Sequence, residues 1–198
     1  MTLDKQTISF YNKKASDYAV WSASINRIKI LKEFANLLPP NGNILDYGCG
    51  TGWATEYFIN QGFKVTALDG SKDMLNHVIK DKNVKLICGD FLELNSIDEF
   101  DGVWASFSLQ HAKRNLISKI LSLIKTSLKN KGAFYLGIHE GRKTFRDSLD
   151  RFYCYYDEIE ITEILVKKNF EIIKINKEKS KAYDGSPINI MNIFLKSN

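Results

Sequence analysis

Ile44-Leu45-Asp46-Tyr47-Gly48-Cys49-Gly50-Thr51-Gly52 is the stretch that decides the fold of this 198-residue chain. A short β-favouring run ends in an acid, three glycines follow at alternate positions, and a helical pattern begins. Glycine has no Cβ, so backbone there can approach a ligand closely or take positive φ. A strand, a glycine loop and a helix in this order place a nucleotide-type ligand on the carboxyl edge of a parallel sheet. The spacing narrows the ligand. The dinucleotide fingerprint requires G-x-G-x-x-G or A. Here the third glycine comes one residue early, at Gly52, and the last fingerprint position is Trp53. Asp46 stands two residues before the first glycine, an awkward place for a pyrophosphate and a suitable one for a cationic ligand.

S-adenosylmethionine is such a ligand, with an ammonium and a sulfonium on an adenosine. Leu45 to Gly52 reads LDYGCGTG, which resembles the first motif (LDxGCGxG) of the class I S-adenosylmethionine-dependent methyltransferases. The resemblance implies cofactor contacts from Asp46, Gly48, Cys49, Gly50 and Gly52. Asp69 closes the next strand 21 residues after Gly48, where a carboxylate can accept both ribose hydroxyls. Asp69 to Leu75, with Gly70 and Met74, resembles the family's D-x-S-x-x-M-L; the other reading of Asp69 is a helix-entry residue. Gly89-Asp90-Phe91-Leu92 follows the third strand. There the resemblance implies that Asp90 bonds the adenine amino group and Phe91 packs on the ring, against the alternative of an ordinary surface turn.

The stretch Ala105 to Ala112 resembles the family's exit from the fourth strand and would lie under the methionine arm, with Ser106 in contact. His111 has a near-neutral unperturbed pKa and reads either as a general base or as a packing anchor. His139, at the end of the fifth strand, is a second base candidate. Near the start, Tyr11, Asn12, Ala15 and Tyr18 fit the family's Y-(D/N)-x-x-A-x-x-Y opening. In relatives that helix folds over the cofactor, which would bring Tyr11 and Tyr18 to it. The alternative is a docking helix whose aromatics fill core space.

Residues 139–156 hold Arg142, Lys143, Arg146 and Arg151 among Phe145, Phe152, Tyr153, Tyr155 and Tyr156. The family inserts substrate-recognition structure at this place. Arginine forks suit carboxylate or phosphate, and tyrosines supply rigid walls with a polar tip. Arg142, Arg146, Tyr153 and Tyr156 are therefore the expected acceptor contacts. The other reading is a solvated segment in which Asp147 and Asp150 pair with the arginines.

Composition sets outer bounds. Hydrophobic residues make up 44% of the chain, enough for a sizeable core, and no apolar run approaches the roughly 20 residues of a membrane span. Three scattered cysteines suggest neither a disulfide framework nor a zinc site, and no metal is expected. A reduced, cytoplasmic protein, monomeric or homodimeric, is the expectation. A net charge of +5 permits a nucleic-acid partner without indicating one.

The hydrophobic periodicity predicts a helix in the second half of 1–38, with Ile28, Leu31, Phe34, Ala35 and Leu38 on one face, and the resemblance makes 1–38 an N-terminal helical lid. It then predicts strands at 63–68, 84–88, 100–107, 133–138, 170–175 and 188–195, with intervening helices and a turn at Asp184-Gly185. Alternating strands and helices imply an α/β fold. The resemblance makes it one Rossmann-like, three-layer domain over 1–198. Its seven-stranded sheet would be mostly parallel, in the order 3-2-1-4-5-7-6, with an antiparallel last strand. The implied activity is methyl transfer from S-adenosylmethionine to an O, N or S nucleophile on a small molecule. The alternatives are a methyltransferase of RNA, such as a tRNA base, and a protein that binds the cofactor without turnover. A nicotinamide oxidoreductase is disfavoured by the position of Gly52.

Overall fold

Ile44, Leu45 and Tyr47 are all fully buried, as a central strand covered on both faces requires. In the computed structural model, which describes residues 4–23 and 27–198, they lie on β1 (Asn43–Tyr47). β1 pairs in parallel with β2 (Lys64–Asp69) on one side and β4 (Phe100–Ser106) on the other. Outward from these lie β3 (Val84–Cys88) and β5 (Leu128–His139), also parallel to their neighbours. β9 (Pro187–Ser197) runs antiparallel to β5 and to the edge strand β8 (Phe170–Lys181). The sheet order is β3-β2-β1-β4-β5-β9-β8. It matches the expected order once a separate two-stranded hairpin, β6 (Thr144–Arg146) with β7 (Phe152–Cys154), is set aside.

Alternate residues of each strand feed two cores. Leu45, Tyr47, Val103, Phe134 and Leu136 face α5 (Ile117–Ser127) and α6 (Glu158–Lys167). Ile44, Val65, Trp104 and Tyr135 face α2 (Ile28–Ala35) and α3 (Trp53–Asn60). Trp104 stacks on Tyr135 at 3.8 Å and 12°, with Phe34 and Phe58 edge-on or tilted around them. This is the three-layer arrangement that the alternating pattern implied.

Several boundaries differ from the sequence reading. Leu31 and Phe34 are buried, whereas Ile28 is 61% exposed, because α2 begins at Ile28 and its first turn precedes the packed face. Leu128 opens β5 directly, ahead of the expected start at 133, and Lys131, at φ 60°, marks an irregularity inside that strand. β8 continues past 175 to Lys181, β9 begins at Pro187, close to the expected 188, and a turn with Gly185 at φ 82° joins them. Those extra residues form an arm beyond the sheet proper. Residues 1–3 and 24–26 of the expected lid lie outside the described residues. The rest is α1 (Lys5–Ala23) and α2. Among the described residues no helix is long and apolar enough to cross a membrane.

Candidate active site

The carboxyl ends of β1, β2 and β4 converge on the glycine loop. Each glycine there does a different task. A Cβ on Gly48 (φ 82°) would lie 2.2 Å from Ser108 Cβ, and one on Gly52 (φ 82°) would meet Val78 at 2.9 Å. Both glycines let neighbouring elements pack. A Cβ on Gly50 (φ 56°) would meet nothing within 4 Å, so this backbone borders open space. The Gly50 N–H donates to Asp69 Oδ2 at 2.8 Å, and Ser71 N–H donates to Oδ1 at 2.8 Å. Each carboxylate oxygen keeps a further lone pair. Burial raises the Asp69 pKa, and the backbone N–H groups of Ser71, Gly50 and Gly70 oppose that rise. Ser71 also caps α4 (Lys72–Leu75), its Oγ accepting from Met74 N–H. The resulting cleft is lined by Gly48, Gly50, Asp69, Gly70, Met74 and Phe91.

α1 closes this cleft and is fastened along its length. Asp4 pairs with Arg146 at 2.6 Å, and Thr7 Oγ1 accepts from Phe152 N–H. Ser71 Oγ donates to Asn12 Oδ1, and Ser22 contacts Thr51 Oγ1 at 3.2 Å. Midway, Tyr11 Oη lies 3.0 Å from His111 Nε2, while His111 Nδ1 lies 2.7 Å from the Phe152 carbonyl oxygen. A carbonyl only accepts, which assigns the imidazole proton to Nδ1. Nε2 therefore accepts the Tyr11 hydroxyl proton. Burial holds the His111 pKa down to about 4, with the Phe152 hydrogen bond opposing it, so the ring is neutral near pH 7.

A second cavity, of about 140 Å³, adjoins the cleft. Tyr11, Tyr18, Gly48, Gly50, Ser106 and Phe107 border both. Its outer walls are Trp21, Arg27, His139, Arg151, Tyr153 and the β8–β9 arm with Tyr183. Phe107 sits between the compartments at φ 56°, a left-handed conformation costly for an aromatic residue. Its N–H is held by the Gly137 carbonyl at 2.8 Å, and the Arg27 guanidinium lies 5.0 Å from its ring centroid.

Residues 44–132 match the family model of the methyltransferase domain. The chain is an S-adenosylmethionine-dependent methyltransferase. A methyltransferase of Staphylococcus carnosus is 27% identical over 156 residues, which is 78% of this chain and 74% of the relative. The malonyl-[acyl-carrier protein] O-methyltransferase of Buchnera aphidicola is 36% identical over 117 residues, covering 54% of this chain and 45% of that one. The Burkholderia thailandensis 1,6-didemethyltoxoflavin-N1-methyltransferase, solved with its substrate and S-adenosylhomocysteine, superposes with a TM-score of 0.80 at 20% identity. That superposition covers 98% of this chain and 88% of the other. S-adenosylmethionine is the cofactor of this methyltransferase. The residues present fit it, since the cleft offers open backbone at Gly50, lone pairs on Asp69 and apolar surface at Met74 and Phe91.

The methyltransferase does not bring every expected residue to the chamber. Tyr11, Tyr18, Gly48, Cys49, Gly50, Asp69, Gly70, Met74, Phe91, Ser106, His111, His139 and Tyr153 line one compartment or the other. Six expected residues line neither. Asp46 turns toward α3 and accepts the Thr55 hydroxyl at 2.7 Å; burial lifts its pKa to about 7. Gly52 is taken up by Val78. Asp90 caps the short turn Phe91–Glu93 through Leu92 N–H. Arg142, 79% exposed, pairs with Asp157, the N-cap of α6. Arg146 is tied to Asp4 and to the Asp150 carbonyl. Tyr156 is buried beneath the Arg114 guanidinium, 4.6 Å from its ring centroid. The wall residues that the sequence did not single out as contacts are Arg151 and Tyr183. Arg151 was visible as one of a cluster, but which of its arginines faces inward depends on the register of the β6–β7 hairpin.

Proposed function

We propose that this methyltransferase acts on a small molecule held in the cavity walled by α1, the β6–β7 hairpin and the β8–β9 arm. The observation that carries the reading is the size and closure of that cavity. A space near 140 Å³ is comparable to the roughly 150 Å³ that holds a benzene ring in an engineered protein cavity. Three chain segments far apart in sequence close around it, and six of its wall residues are also walls of the cofactor cleft.

In this reading Asp69 accepts the ribose hydroxyls, Phe91 packs on the adenine, and the Gly48–Gly50 backbone and Ser106 border the methionine arm. Bound S-adenosylmethionine supplies an electrophilic methyl group on a sulfonium. The protein's own part is approximation, alignment and exclusion of water. Tyr11 is the group on the shared wall that is equipped to handle a proton. Its oxygen can accept one from the acceptor's N–H or O–H while its own hydroxyl proton passes to His111 Nε2. The acceptor's acidity rises sharply once it is alkylated, so a weak base is sufficient. Asp90 caps the turn that carries Phe91 and so positions that ring.

The experiment is incubation of the enzyme with radiolabelled S-adenosylmethionine and either a small-molecule ultrafiltrate of cell extract or bulk tRNA. S-adenosylhomocysteine formed and label recovered are measured in each. Label in the ultrafiltrate is the expected result. Label in tRNA alone sinks the small-molecule reading, and absence of turnover with either favours the non-catalytic alternative.

A further inference from the structure

Two nitrogens buried in the wall of the larger compartment have no hydrogen-bond partner: Arg151 Nη2 and His139 Nδ1. Buried polar groups in native proteins are nearly always satisfied, so two on one cavity wall point to a missing ligand.

Arg151 is only 2% exposed. Its Nε donates to Asp147 Oδ2 at 2.8 Å. Nη2 lies 2.6 Å from the same oxygen but off the direction a hydrogen bond needs. Asp147 has its other oxygen engaged by the N–H groups of Leu149 and Arg151. The carboxylate therefore fixes the guanidinium's orientation without satisfying all its donors. Phe10, Tyr153 and Tyr183 pack on the guanidinium at 4.9, 5.3 and 5.6 Å, and the Tyr11 hydroxyl also interacts with it. His139 stacks on Tyr153 at 5.6 Å and 12°, so the two orphan nitrogens flank one tyrosine. Burial, with His111 once it is protonated and the positive charges of Arg151 and Arg27 adding to it, holds the His139 pKa down to about 3. The neutral ring can carry its proton on Nδ1 and donate there. The charged residues on the cavity wall are Arg27, Arg151 and Lys181 against Glu178, and Glu178 already accepts from Asn192. The wall is cationic and rich in donors.

We infer that the methyl acceptor carries an oxyanion, a carboxylate or a phosphate monoester, and that Arg151 and His139 bind it. The inference rests on the small-molecule reading above and names the class of molecule. A planar fork of N–H donors beside a second donor matches an oxyanion's paired oxygens. Lysine would not reproduce it, because its ammonium is a point charge without the fork.

The test is calorimetric titration of protein saturated with S-adenosylhomocysteine, using benzoate, phenyl phosphate and neutral benzamide as probes. At least one acid should bind about tenfold more tightly than benzamide, the difference expected for one charge-assisted contact. The tighter acid distinguishes carboxylate from phosphate. Arg151→Gln and Arg151→Lys should each weaken it about tenfold or more, and His139→Ala by a smaller factor. Arg142→Gln should leave it unchanged, and affinity for S-adenosylhomocysteine should be retained throughout. Arg151→Lys keeps a cation beside Asp147, so the test survives if Arg151→Gln fails to fold. Failure of both acids to bind, equal binding of benzamide, or wild-type behaviour of Arg151→Lys overturns the inference. Methylation of neutral small molecules alone would sink the oxyanion and leave the small-molecule reading standing; methylation of tRNA alone would sink both.

Discussion

The two halves of the chamber are built in opposite ways. On the cofactor side the work is done by backbone, within short stretches: a glycine loop, a strand-end acid and a capped turn, all between Tyr47 and Phe91. On the acceptor side it is done by side chains whose partners lie far away in sequence. Tyr18 and Trp21 meet Tyr183 ring to ring, and the Arg151 guanidinium lies over Phe10 and Tyr183. Local backbone geometry leaves a spacing that can be read in one dimension. Long-range side-chain contacts leave only a composition. The comparison also predicts which substitutions affect cofactor affinity and which spare it.

The largest effect should come from Gly50→Val. Its side chain would project into the open space of the cleft, so affinity for S-adenosylhomocysteine should fall at least about 100-fold, some 2.7 kcal/mol. The protein should still fold, because a non-glycine residue in the left-handed region costs roughly 1–2 kcal/mol. Gly48→Ala is the contrast: its Cβ meets Ser108, and loss of melting temperature should accompany loss of binding. Calorimetry with circular dichroism separates the two. A Gly50→Val protein that binds normally would break the backbone side of the comparison.

Tyr11→Phe comes next. It removes the hydroxyl on the shared wall and leaves His111 Nε2 without its donor. Turnover at saturating acceptor should fall about 10- to 100-fold, at the low end for general acid–base catalysis, with cofactor affinity nearly unchanged. Equal losses in kcat and in cofactor affinity would show that Tyr11 serves the cofactor instead. Arg146→Ala should act more weakly, raising the acceptor KM a few-fold, because it loosens α1 through a partly exposed ion pair worth about 1 kcal/mol or less. An unchanged KM would remove Arg146 from any role in closing the chamber.

The smallest effect is a pH slope. Folded His111 titrates at about 4 against an ordinary 6.5. Between those values the unfolded chain takes up a proton that the native one refuses, so this group costs stability as pH falls through that window. His139, at about 3, acts in the same direction. Asp46, at about 7 against an ordinary 3.8, acts in the opposite one, since the native chain keeps a proton that the unfolded chain releases. The difference between two proteins is therefore the clean observable. Arg151, Asp147, Asp4, Tyr11 and Tyr153 surround His111 and stay in place in His111→Gln. That variant should lose about 1.4 kcal/mol per pH unit of acid sensitivity below 6.5. Urea denaturation of both proteins near pH 7 and near pH 5 measures it. Parallel slopes would mean that His111 is charged in the fold.

What was legible follows the same division. The sheet order came with the family resemblance, and the Gly185 turn announces itself through a residue with a local conformational demand. Tyr11 and Tyr18 were named through the resemblance of their stretch to the family's opening motif, and their seven-residue interval places both side chains on one helix face. Asp46 and Asp90 show a demand that spacing does not reveal: a carboxylate near a ligand loop also serves the loop's own hydroxyls and N–H groups, here those of Thr55 and Leu92. The arginines of 139–156 were indistinguishable in sequence. A hairpin of alternating sidedness turns Arg151 inward and leaves Arg142 to Asp157 and Arg146 to Asp4. Tyr183 was out of reach because the β8–β9 arm continues past the point where apolar alternation stops.

The fastening of α1 has a kinetic consequence. Tyr11 and Tyr18 wall both compartments, so one helix stands in front of both ligands. Exchange of either then requires the same motion, and the two cannot come and go independently. Initial-rate patterns should show compulsory order, with the nucleoside entering first and leaving last. Pre-steady-state traces should show a burst of product followed by a slower phase set by release of S-adenosylhomocysteine. Solvent viscosity would then slow turnover while leaving the burst rate untouched.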